Sequence, residues 1–147
     1  MDSDFLLNLK SKDDARELTS SLDILINAGY RSDIDIYALL KKVIRNDIAD
    51  DLVDGIKQNQ ENWADYLQSV KQKVANLPII EITLPIRPSS ETLDVISDWV
   101  RVNLNSQLLV DIFYDPSIVA GAKVSYLGKY FELTAVGLLN ERLRLNK

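Results

Sequence analysis

Apolar residues fall along the chain with two different periods, and the change comes at Pro78. Before it, the spacing is helical. Leu18, Leu22, Leu25 and Ile26 recur at three- and four-residue steps and stop at Ala28-Gly29, so a first helix is expected over Asp13–Gly29. Ser32 or Asp33 is the expected cap of a second helix, whose apolar positions are Ile36, Leu39, Leu40, Val43 and Ile44. A third stretch, Asp47–Asn76, carries Ile48, Leu52 and Ile56, then Trp63, Leu67, Val70, Val74 and Leu77. Those last five positions follow a repeat of about 3.5 residues, the spacing of a seam that buries against another helix. The seam can pack within the chain or accept a partner's helix. Gly55 and the polar run Lys57–Asn62 interrupt it, which argues against one straight coiled coil.

After Pro78 the period becomes two. Ile80, Ile82, Leu84 and Ile86 alternate with Ile79, Glu81, Thr83 and Pro85, predicting a half-buried strand with Pro85 at its end. Pro88-Ser89-Ser90-Glu91 is a helix start, a serine cap followed by an acidic first turn. Leu93, Ile96, Val100 and Leu104 line one face of the helix it opens, with Trp99 flanking them. Leu108, Val110, Ile112 and Tyr114 then predict a second strand, and Asp115-Pro116-Ser117 a turn. A third strand is expected over Ala122–Leu127. Gly128-Lys129 forms a tight turn into a fourth, Tyr130–Leu133, and Thr134 caps a last helix with Val136, Leu139 and Leu143. The expected architecture is α+β. A helical domain of three to four helices (1–77) precedes a small mixed sheet with two helices (78–147), in the order β-α-β-β-β-α.

Composition removes most chemistry. Histidine and cysteine are both absent from the 147 residues. That excludes Ser-His-Asp and Cys-His nucleophile systems, zinc sites on thiolate or imidazole, haem and iron–sulfur ligation, and disulfides. No glycine falls in a phosphate-loop or dinucleotide spacing. The formal net charge of −5 is not the footprint of a nucleic-acid binder. Arg142, Arg144 and Lys147 suit the last turn of a helix. No run approaches the roughly 18 apolar residues that span a bilayer. Met1-Asp2-Ser3-Asp4 is acidic where a signal peptide is basic, so a cytoplasmic protein that reaches a membrane only through partners is expected. Asp47, Asp50, Asp51 and Asp54 form the one acidic cluster that could hold a cation, but helical spacing replaces the alternating ligands of a calcium loop. Glu132 stands beside a cap with no second catalytic group, and Ser89-Ser90 lacks an activating base. Trp63, Tyr66 and Trp99 suit core or interface anchoring.

The order of elements after residue 78 carries a resemblance. Pro85-Ile86-Arg87-Pro88-Ser89-Ser90-Glu91, Asp115-Pro116-Ser117-Ile118-Val119-Ala120-Gly121, the hairpin turn at Gly128-Lys129, Glu132-Leu133-Thr134 and the leucine at 139 stand in series. In this the chain resembles the C-terminal domain of the δ subunit of F-type ATP synthase, called OSCP in mitochondria. Asp115, Pro116, Gly121, Gly128, Glu132, Thr134 and Leu139 match that family's structural signature. Ala120 stands for its first glycine, Glu132 for its aspartate and Thr134 for its serine. The family's N-terminal half is a six-helix bundle of about one hundred residues, whereas 77 residues precede the sheet here.

The resemblance implies a non-catalytic peripheral-stalk protein with no cofactor, metal or small-molecule substrate, lying on the cytoplasmic side of the bacterial inner membrane. Its implied partners are the N-termini of the ATP synthase α subunits, met by the helical half, and the C-termini of the b subunits, met by the sheet half. Trp63, Leu67, Val70, Val74 and Leu77 would be the seam for a partner helix. Three alternatives stay open: an E-type stalk subunit of a vacuolar or archaeal rotary ATPase, an unrelated helical adaptor, and a metal-dependent hydrolase built on Asp47, Asp50 and Asp54.

Overall fold

The structure is a computed structural model that describes residues 4–31, 33–59 and 62–134. The chain divides into two compact units, Met1–Leu77 and Pro78–Lys147.

Among the described residues, the first unit holds α1 (Asp4–Leu7), α2 (Lys12–Ala28), α3 (Ile36–Val43), α4 (Asn46–Gln58) and α5 (Trp63–Ala75). α2 begins with a capping box. The Ser11 hydroxyl accepts the backbone N–H of Asp14, and the Asp14 carboxylate accepts those of Ser11 and Lys10, so the first turn's free donors are satisfied locally. α2 buries Ala15, Leu18, Leu22 and Leu25 and packs against α5, which buries Leu67, Val70 and Val74. α4 buries Ile48, Ala49, Leu52, Val53 and Ile56 and packs against α1, α3 and α5. Phe5, Leu6 and Leu9, around α1, are also buried.

Three features depart from the sequence reading. Asp35, not Ser32 or Asp33, caps α3: its carboxylate accepts the backbone N–H groups of Tyr37 and Ala38. Ser32 itself lies outside the described residues. The third stretch is two helices. The Asn59 side chain donates to the Gly55 carbonyl and the Asn62 side chain to Asp65, so asparagine amides take over where the backbone ladder would have continued. α1 was not foreseen, because four residues are too few to display a period.

The second unit contains β1 (Ile79–Leu84), α6 (Ser90–Asn103), β2 (Leu109–Tyr114), β3 (Gly121–Tyr126) and β4 (Lys129–Thr134). These form a mixed four-stranded sheet of order β2-β1-β3-β4. β1 and β2 pair in parallel, Ile80 opposite Val110 and Ile82 opposite Ile112, with α6 as the crossover. β3 pairs antiparallel with β1, Ile82 opposite Val124, and β4 with β3, Val124 opposite Phe131. Ser89 caps α6 by accepting the Thr92 N–H, as its sequence implies. Ile80, Ile82, Val100, Leu108 and Val110 form the core, with Leu84, Ile96, Ile112, Ala122, Val124 and Tyr126 packed against it. Helices followed by a mixed sheet with one helix between its first two strands make an α+β fold. The expected closing helix after Thr134, with Leu139, lies outside the described residues.

Candidate functional site

Two groups of residues were singled out in the sequence, and each lies within one unit. In the first unit, Trp63 seats its ring against Gly29 at the end of α2. A Cβ built on Gly29 would fall 2.1 Å from Trp63 Cη2. Tyr66, a turn further on, covers Gly55 of α4 in the same way, its Oη 1.9 Å from where a Cβ would stand. Both glycines have a packing reason: only a residue without a side chain admits an aromatic ring so close to the backbone. Leu67, Val70, Val74 and Leu77 continue the seam and are all buried. Trp63 itself is half-buried.

The acidic cluster of α4 is distributed among ion pairs. Asp47 pairs with Arg45 at 2.7 Å, Asp50 with Lys41 at 3.8 Å and Asp54 with Lys57 at 3.9 Å. Arg45 also reaches Asp14 and donates to the Asn8 carbonyl, so it ties the start of α4 to the start of α2. The hydrogen bond from Arg45 holds the Asp47 carboxyl below its ordinary range, and the same bond raises Arg45. Among the described residues no group of three or more acidic side chains is arranged to hold a metal ion.

The second group is the signature set. Asp115, just past β2, accepts the backbone N–H of Ser117 at 2.9 Å and its hydroxyl at 2.6 Å. These two bonds hold the carboxyl below its usual range. The Asp115 N–H donates to Leu84 and its carbonyl accepts from Ile118, closing a turn with Pro116 at the corner. That turn delivers the buried Ile118 and leads the chain round to β3. Gly121 opens β3 at φ 97°, and Gly128 stands at φ 73° with nothing near a would-be Cβ, so backbone conformation alone calls for glycine there. Glu132 lies opposite Lys123 in the β3–β4 ladder, and Thr134 opposite Gly121. Leu139 is outside the described residues. Arg87 stacks its guanidinium 5.3 Å from the centroid of Tyr114, pinning the segment after β1 to the end of β2.

Sequence reasoning missed a third feature. On the side of α6 away from β2, Val95, Trp99 and Leu104 join Val124, Tyr126 and Phe131 around an apolar groove of about 490 Å³. Trp99 had signalled it, since it stands beside the helix stripe and not within it.

Among the described residues, the singled-out side chains take part in caps, turns, ladders and ion pairs. No helix among the described residues is long and apolar enough to cross a membrane. No family model matches the chain. It is similar to the ATP synthase subunit delta of Thermosipho melanesiensis, with 30% identity over 81 residues. The match takes in 55% of this chain and 45% of that protein, so it spans less than half of the relative's length.

Proposed function

We propose that the chain is a peripheral-stalk subunit of an F-type ATP synthase, without chemistry of its own, that helps hold the catalytic head to the membrane-anchored b subunits. The observation that carries this reading is the similarity to ATP synthase subunit delta. The order of the fold supports it, with helices first and then a mixed sheet whose turns fall at Asp115-Pro116 and Gly128. In this role the outer helix faces of the first unit receive N-terminal segments of the α subunits, and the second unit receives the C-terminal ends of the b helices. The protein then sits on the cytoplasmic face of the bacterial inner membrane, held there by its partners.

The test is recovery of the tagged protein from its native membranes in mild detergent, with identification of the co-purifying chains. Co-purification of α, β and b supports the stalk role. Their absence, with the tagged protein abundant and folded, overturns it in favour of an adaptor outside the ATP synthase.

A further inference from the structure

Asparagine is a thermolabile residue. Its amide is lost when the backbone nitrogen of the following residue attacks the side-chain amide carbon, and a bulky side chain on that following residue blocks the approach. Ten asparagines are spread along the chain, and in only two pairs, Asn27-Ala28 and Asn105-Ser106, does glycine, alanine or serine follow. Asn27 lies inside α2, where the helix commits the Ala28 N–H to its own ladder. Asn105 and Ser106 lie in the connection from α6 to β2, and both are exposed.

The connection presents Asn105 for this attack. Among the described residues the Ser106 N–H makes no backbone hydrogen bond, so its nitrogen is not held by a carbonyl. The Asn105 side chain is held: its Oδ1 accepts the Gln107 N–H at 2.9 Å. That bond folds the side-chain carbonyl forward along the two peptide units that follow it. It also draws electron density from Cγ, as a donor does at any carbonyl under attack. The backbone on either side is pinned, the Asn105 N–H to the Val100 carbonyl at 3.4 Å and the Leu108 N–H to the Asn105 carbonyl at 3.1 Å.

We propose that Asn105 is a site of spontaneous modification in the folded protein, losing its amide to the Ser106 backbone nitrogen through a cyclic imide. The Ser106 nitrogen gives its proton to solvent base and forms a bond to Asn105 Cγ. The Cγ–Nδ2 bond breaks, and Nδ2 takes a proton and leaves as ammonia. Water then opens the ring at one of its two carbonyls, giving aspartate or an isoaspartate whose backbone runs through the side chain. Only water is consumed, and nothing is oxidised or reduced. Either product puts a carboxylate where an amide stood. The isoaspartate also adds a carbon to the backbone just before Leu108 and Leu109, which are both buried. The site is a property of the second unit and does not rest on the stalk role, so either can fail without the other.

The test incubates the folded full-length protein at mildly alkaline pH and reads its peptides by mass spectrometry. A sample digested without incubation sets the baseline, and methyl transfer by an isoaspartyl methyltransferase reports the isoaspartate. The mass gain of an amide turned acid is expected at Asn105 several-fold ahead of Asn27, with isoaspartate among the products. Ser106→Val should slow it several-fold, because a branched side chain crowds the attacking nitrogen. Conversion of Asn105 no faster than that of Asn27 overturns the proposal. So does aspartate without isoaspartate, the result of direct hydrolysis by water. An unchanged rate in Ser106→Val, with circular dichroism showing the variant folded, overturns it as well. If that variant fails to fold, the comparison of Asn105 with Asn27 in the native chain decides.

Discussion

The two units bury their apolar residues to different degrees. In the first, Leu9, Leu22, Leu25, Leu40, Leu52, Ile56, Leu67 and Val70 are fully buried, and two glycines let aromatic rings approach helix backbone. In the second, Ile80, Ile82, Val100, Leu108 and Val110 form the described core cluster, with Leu109 and Ile118 also buried, while Trp99, Phe131 and Val95 are more than half exposed. Helices can close on one another because each presents a stripe that fits its neighbour's. A four-stranded sheet has a broad apolar face, and one helix roofs only part of it. Completeness of burial, more than composition, separates the halves.

Core truncation should sharpen the contrast most. Leu22→Ala, at a site with no exposure, should destabilise the first unit by about 2–5 kcal/mol. Val102→Ala in α6, where Val102 is 84% exposed, should fall within about 0.5 kcal/mol. Urea unfolding followed by circular dichroism compares the two. Next is the aromatic seat on glycine. Gly29→Ala should cost about 1–3 kcal/mol by forcing the Trp63 ring off its site. Trp63→Leu should recover part of that loss, and a double-mutant cycle measures the coupling. Loss of a cap comes third: Asp35→Ala should cost about 1 kcal/mol, read as a lower thermal midpoint of the first unit.

The fourth change goes the other way. Leu127, with φ 50°, shares the two-residue hairpin loop with Gly128, and such loops need positive φ at both positions. Leu127→Asn should stabilise the second unit by about 0.5–1 kcal/mol by easing left-handed strain. The smallest effect is pH-dependent. Asp47 is depressed in the folded protein, so its contribution is complete above the ordinary carboxylate range and is lost as pH falls through its folded value. Arg45 stays charged across that window. Asp47→Asn should therefore flatten the acid limb of stability by about 0.2–1 kcal/mol, as for an exposed ion pair.

Legibility differed from element to element. The alternation at Ile80, Ile82 and Leu84 and the serine cap before α6 were plain in the sequence, because a period or a cap is written within a few residues. The cap of α3 was misplaced because Ser32, Asp33 and Asp35 are all competent caps, and only the backbone path selects Asp35. The break between α4 and α5 depends on two asparagine amides, which a hydrophobic period does not register. Of the candidate site, Asp115 and Gly128 could be read as turn residues, since their reasons are local. The seats of Trp63 on Gly29 and Tyr66 on Gly55 join separate helices and carry no local signal. The groove was hidden for a similar reason: Phe131 and Trp99 become neighbours only after β4 has paired with β3 and β3 with β1.

β1 has a consequence for synthesis on the ribosome. It is an inner strand of the sheet, yet it is made before either neighbour. Ile79 waits for Leu109, thirty residues on, and Glu81 for Ser125, forty-four residues on. The first unit is a compact unit of 77 residues and can fold as soon as it emerges. During the interval that follows, a folded helical unit trails an unpartnered Ile-Ile-Glu-Ile-Thr-Leu strand. Glu81 within that strand and Pro85 just after it then act as guards, a charge and a chain-breaker that discourage β1 of one nascent chain from pairing with β1 of the next.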